Sequence, residues 1–128
     1  MIIWCASYPK SGNTWVRAII TSLIYSENGI FNFDMLRKVS LFPKRFYFKD
    51  FIDDYSDLKK VSQYWIDAQE KINSDGKIKI LKTHNGNYNF LGKDFTNKKN
   101  TLGVIYVVRD PRNIITSISN HYQLNTEH

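Results

Sequence analysis

Tyr8-Pro9-Lys10-Ser11-Gly12-Asn13-Thr14-Trp15 is the stretch whose reading decides the fold. The apolar run Met1-Ile2-Ile3-Trp4-Cys5-Ala6 precedes it, and residues 2–7 read as a short buried strand. The run VRAIITSLIY follows, predicting a helix from about Thr14 to Tyr25. Trp15, Val16, Ile19, Ile20, Leu23 and Ile24 fall in pairs about four apart, as one apolar stripe would, with Asn28-Gly29 closing the helix. Residues 8–13 are then a strand-to-helix loop. A helix N-terminus presents unpaired amide hydrogens and a partial positive charge, so such a loop can wrap a phosphate or a sulfate. Gly12 permits close backbone approach, Ser11 and Thr14 add hydroxyls, and Lys10 adds a full charge. In the nucleotide-binding loop G-x-x-x-x-G-K-[ST] the lysine follows the second glycine. Here Lys10 precedes the loop's single glycine, which weakens a nucleoside triphosphatase reading.

Working outward, residues 30–55 mix aromatics with lysine and arginine and lack a clean period, as short helices and loops would. Ser56 or Asp57 caps a helix reaching about Asn73, with Leu58, Val61, Trp65, Ala68 and Ile72 on its buried face. Asn73 to Gly76 is a turn. A second strand covers Lys77 to about Lys82, residues 85–100 form a polar connection, and Thr101–Val108 is the third and most apolar strand. Asp110 suits the N-cap and Pro111 the first position of a last helix. Strands apolar throughout are buried on both faces, which predicts an α/β fold with a parallel sheet under helical cover. Such sheets hold ligands at the carboxyl ends of their strands. All three strands end in chemically loaded residues: Lys10-Ser11, Lys82-Thr83-His84 and Arg109.

Pro9-Lys10-Ser11-Gly12-Asn13-Thr14-Trp15 resembles the phosphosulfate-binding loop of the cytosolic-type sulfotransferases, whose usual form is Pro-Lys-Ser-Gly-Thr-Thr-Trp. Asn13 stands where that form has threonine; it still offers a donor and tolerates turn geometry. Two further segments are similar to the family's: Lys82-Thr83-His84 at a strand end, and Arg109 followed eight residues later by Ser117. Asn85-Gly86 departs from the Leu-Pro that many members carry after the histidine. The resemblance implies a P-loop-like three-layer fold and the donor 3′-phosphoadenosine 5′-phosphosulfate (PAPS). It implies that Lys10, Ser11, Gly12, Asn13 and Thr14 hold the 5′-phosphosulfate and that Arg109 and Ser117 hold the 3′-phosphate. It also implies that His84 is the catalytic base, assisted by Lys10 and Lys82, which shares a strand face with His84. Trp15 would pack against adenine, or else complete the core at the helix start. The family's later Arg-Lys-Gly segment has no counterpart, and a family domain is about twice as long as these 128 residues. Residues 1–128 therefore resemble the N-terminal half of the domain, truncated or naturally short, carrying the cofactor-binding and base-bearing segments, and such a piece alone could be inactive.

Composition bounds the rest. Eighteen Lys and Arg against twelve Asp and Glu give a net charge of +6, which suits anionic partners or simply a basic surface. No dense lysine cluster or RNA-binding signature marks a specific nucleic-acid partner. The lone Cys5 sits among apolar neighbours, as a buried thiol would. No signal peptide or membrane span is legible, so a cytoplasmic protein is expected. His84, His121 and His128 lack metal-ligand spacing, no metal is expected, and Asp53-Asp54 reads as a solvated turn. The aromatics between Phe31 and Trp65 either line a pocket for a small-molecule or lipid-like acceptor or complete the core. Uncovered sheet edges would invite association, which leaves an oligomer open. The competing readings are a nucleotide or nucleoside kinase and a non-enzymatic polyanion-binding module.

Overall fold

The structure is a computed structural model and describes residues 1–122. Three parallel strands form the central sheet in the order β2-β1-β5: β1 (Ile2–Ser7), β2 (Lys79–Thr83) and β5 (Thr101–Val107). The first strand in sequence is therefore the middle one, and the chain winds to one side of it and then to the other. An order that reverses in this way opens a crevice at the carboxyl end of the sheet, between β1 and β5.

The α1 helix (Asn13–Tyr25) lies on one face, where Val16 and Ile20 pack against Cys5, Val39 and Ile80. The other face carries the main core. There Ile2, Trp4 and Leu81 of the sheet meet Phe42, Phe48, Val61, Trp65, Ala68 and Phe95. Phe42 is the hub of this cluster, with ring centroids 5.5 Å from Trp4, 5.5 Å from Phe48 and 5.9 Å from Phe95. The irregular middle of the chain is used here: residues 33–38 and 45–47 form short 3₁₀ helices, and Leu41 bridges to Lys82 on the outer edge of β2. Of the two readings of the aromatic segment, core packing holds for Phe42, Phe48 and Trp65, all fully buried.

Four expectations need correction. The helix predicted from Asp57 to Asn73 is two helices, α2 (Leu58–Ser62) and α3 (Trp65–Asn73), broken at Gln63-Tyr64. Both helices present their apolar residues to the same core, so the spacing of Val61, Trp65 and Ala68 survives the break. The apolar stripe of α1 is split. Val16 and Ile20 face the sheet beside Asn13, Arg17 and Thr21, whereas Trp15, Ile19 and Leu23 are exposed. The second strand begins at Lys79 rather than Lys77. Last, β5 is not buried on both faces: Leu102, Val104 and Tyr106 are exposed, and its outer edge has no strand partner among the described residues. The polar connection contains a two-residue hairpin, β3 (Asn89–Phe90) with β4 (Lys93–Asp94), turning through Leu91 and Gly92, both left-handed. The last helix, α4 (Pro111–Tyr122), starts as predicted, with Asp110 accepting from the Arg112 amide at 2.9 Å.

No helix among the described residues is long and apolar enough to cross a membrane. Cys5 is a buried free thiol whose burial raises its pKa.

Candidate functional site

The three loaded strand ends meet at the crevice. A cleft of about 310 Å³ is lined by Lys10 and Gly12 of the first loop, Asn13, Thr14 and Trp15 at the start of α1, Lys82 of β2 and His84 just after it, Arg109 just after β5, and Ser117 of α4. One hydrogen bond closes it directly: the Arg109 guanidinium donates to the Lys10 carbonyl at 3.3 Å, ninety-nine residues away in sequence.

The loop owes its shape to two left-handed residues. Gly12 has φ +97° as the helix N-cap, and Lys10 has φ +65°, uncommon for a residue with a side chain. Left-handed residues in a short turn can direct successive amides toward a shared anion-binding concavity. The amide hydrogens of Gly12, Asn13 and Thr14 donate to no backbone acceptor among the described residues. Ser11 does not line the cleft; its side chain is buried beneath the loop with its Oγ unpartnered.

Charge in the cleft is uncompensated. Arg37, Lys60, Lys71, Lys79, Lys99 and Arg112 each pair with a carboxylate. Lys10, Lys82 and Arg109 form no such pair among the described residues. Arg112 illustrates the contrast: its guanidinium grips Asp110 at 2.6 Å, whereas Arg109 has no carboxylate partner among the described residues. Lys82 is half-buried, and burial pushes its ammonium below the ordinary lysine range, with the Arg17 charge adding to the effect.

His84 is held by its Nδ1, which lies 2.8 Å from the Ser7 carbonyl oxygen. A carbonyl only accepts, so Nδ1 carries the proton and donates. In the neutral ring this leaves the lone pair on Nε2. Asn13 is buried, and its Nδ2 donates to the Cys5 carbonyl and to Ser7 Oγ, each at 3.1 Å. The side chain of Asn13 therefore points into the protein, and only its backbone amide remains for an anion. Trp15 is 78% exposed, which removes the core-packing alternative for it. It separates the cleft from an apolar groove of about 510 Å³ walled by Ile19, Leu23, Phe31 and Phe33.

Two residues in this neighbourhood escaped the sequence reading. Ser7 is the last residue of β1 and supplies the carbonyl that fixes His84. Arg17 is half-buried under the site and donates to the Leu36 carbonyl at 2.6 Å. Its place in an apolar run, four residues after Asn13 on the same helical face, was the available signal. Among the described residues no group of three or more His, Cys, Asp or Glu gathers as a metal site, and His128 lies outside them. Asp53-Asp54 is a solvated turn, in which Ser56 and Lys60 hold Asp54 at a pKa of about 2.

A second concavity, of about 460 Å³, opens on the opposite face of the sheet. Trp4, Ala6, Val104 and Tyr106 line it, together with Thr83 and Asn85, the two neighbours of His84.

A family model described as "Sulfotransferase domain" matches residues 2–128. No curated protein and no solved structure matches the chain.

Proposed function

The chain belongs to the sulfotransferase domain family, and from that premise we propose that it transfers a sulfuryl group from 3′-phosphoadenosine 5′-phosphosulfate to a hydroxyl or amine acceptor. In this reading residues 1–128 carry the cofactor-binding and base-bearing part of the domain. The observation that carries the proposal is the convergence of three cations, Lys10, Lys82 and Arg109, without carboxylate partners among the described residues, in a single cleft with His84. The residues fit a donor of that charge. Three amides with no backbone acceptor among the described residues and two lysines suit one anionic end, and a guanidinium with the Ser117 hydroxyl suits the other.

When bound, the donor supplies the sulfuryl group and a phosphate oxygen as leaving group. The Gly12, Asn13 and Thr14 amides hold the 5′-phosphosulfate, and Arg109 with Ser117 holds the 3′-phosphate. Trp15 offers its exposed face to adenine. Lys10 and Lys82 stabilise negative charge that shifts during transfer. His84 accepts the acceptor's proton at Nε2, the nitrogen left free by the Ser7 carbonyl. The acceptor, a small molecule, must bring its hydroxyl or amine to His84 at the cleft.

Calorimetric titration with adenosine 3′,5′-bisphosphate tests the reading, and its pH dependence tests Lys82. An anion binds best to charged Lys82, so affinity falls as pH rises through the lowered pKa of that ammonium. Lys82→Arg keeps the charge at every accessible pH, so its decline should begin at higher pH than in the wild type. Absence of binding by the wild type would count against the function. Identical alkaline declines in the two proteins would remove Lys82 from the site.

A further inference from the structure

We infer that Asn13 and Ser7 form an interior strut that sets the protonation geometry of His84, so that Asn13 serves the base rather than the donor anion. The inference rests on the assignment of His84 as base. Its own support is a continuous set of hydrogen bonds linking residues far apart in sequence.

The chain of contacts begins at the first residue of α1. Asn13 Nδ2 donates to the Cys5 carbonyl and to Ser7 Oγ, each at 3.1 Å, which fastens the helix start to the last residues of β1. Ser7 is next. It is 4% exposed, its carbonyl accepts from His84 Nδ1 at 2.8 Å, and its Oγ stands 3.4 Å from the same nitrogen.

Two oxygens of one residue thus face one ring nitrogen, and their roles follow from hydrogen-bond capacity. The closer carbonyl can only accept, so it selects the tautomer with hydrogen on Nδ1. A hydroxyl hydrogen directed at Nδ1 would instead favour the opposite tautomer, with its lone pair there. Asn13 donates to Ser7 Oγ from the interior and holds the hydroxyl in one rotamer. The ring then keeps a proton on Nδ1 and a lone pair on Nε2.

Burial makes the strut rigid. Asn13 is 5% exposed, and its two donor bonds satisfy the amide nitrogen without solvent. A hydroxyl side chain at position 13 carries one donor hydrogen and could not satisfy both acceptors at once. An amide at this place in the loop therefore has a use that the binding of an anion does not explain.

The test reads the ring directly. Nitrogen-15 chemical shifts of His84 should show Nδ1 protonated and Nε2 bare in the neutral wild type. Asn13→Ala should shift the population toward the Nε2-protonated form, because the released Ser7 hydroxyl can turn its hydrogen to Nδ1. Ser7→Ala keeps the carbonyl and removes the competing hydroxyl, so it should keep Nδ1 protonated, and the double variant should behave as Ser7→Ala. If Asn13→Ala does not fold, Asn13→Leu gives the reading, since it keeps the volume and removes the donor hydrogens. In transfer assays Asn13→Ala should lower kcat about tenfold, a part of the ~10²–10⁴-fold a positioned base supplies, with KM for the donor nearly unchanged. Unchanged ring shifts in a folded Asn13 variant, or a shift to the Nε2-protonated form in Ser7→Ala, would overturn the strut. A wild-type protein with the expected tautomer but no transfer would leave the strut standing and remove the role of His84 as base.

Discussion

Replacement of His84 by alanine should lower sulfuryl transfer by ~10²–10⁴-fold while leaving affinity for adenosine 3′,5′-bisphosphate within about twofold of wild type. The separation follows from where the imidazole sits. Its Nδ1 is committed to the Ser7 carbonyl, so the only nitrogen available to a reactant is Nε2. His84 lines the same cleft as the cations, yet its neutral ring brings no charge to hold an anion. His84 also lies at the exposed end of β2, outside both core clusters, so its removal opens no cavity in the core. Transfer rates measured beside calorimetric binding decide the matter. Loss of binding in parallel with loss of transfer would make His84 a ligand for the donor instead of a base.

Removal of either principal cation should do the reverse. Lys10→Ala and Arg109→Ala should each weaken adenosine 3′,5′-bisphosphate binding by ~10–100-fold, the equivalent of one charge-assisted hydrogen bond of about 1.5–3 kcal/mol. Neither side chain has a carboxylate partner among the described residues, and neither belongs to a core cluster, so the variants should fold. The two are not independent, because the Arg109 guanidinium also supports the loop through the Lys10 carbonyl. That bond ends on backbone, which Lys10→Ala retains. The double variant should therefore lose more than either single one, and the remaining binding should depend less on salt. Wild-type affinity in Arg109→Ala would show that the crevice between β1 and β5 does not hold the second phosphate.

Much of this was legible in the residues. The β1 strand was found at its true bounds because six residues without a charge lead straight into a loop that cannot be strand or helix. The meeting of Lys10, His84 and Arg109 followed from a rule about parallel sheets, since each ends or follows one of its strands. What could not be read depended on contacts with no local signature. The break at Gln63-Tyr64 leaves the apolar spacing intact, because α2 and α3 serve one core. The exposure of β5 was invisible because an apolar strand reads the same at an edge as in the middle of a sheet. In α1 the apolar spacing reads as one stripe, yet Trp15, Ile19 and Leu23 are exposed. The sheet instead takes the flank with Asn13, Arg17 and Thr21, since hydrogen bonds to the Cys5 carbonyl and to Ser7 fix the rotation of the helix. Asn13 itself could be read only as a loop donor, because its acceptors belong to the preceding strand.

The central claim is that one crevice grips an adenosine ligand by two separate phosphates. Calorimetric comparison of adenosine 3′,5′-bisphosphate with adenosine 5′-monophosphate and with ATP measures this most directly. The account predicts that the bisphosphate binds ~10–100-fold more tightly than the monophosphate, and that Arg109→Ala abolishes the difference. Equal affinity for the two, or tighter binding of ATP than of the bisphosphate, would contradict it.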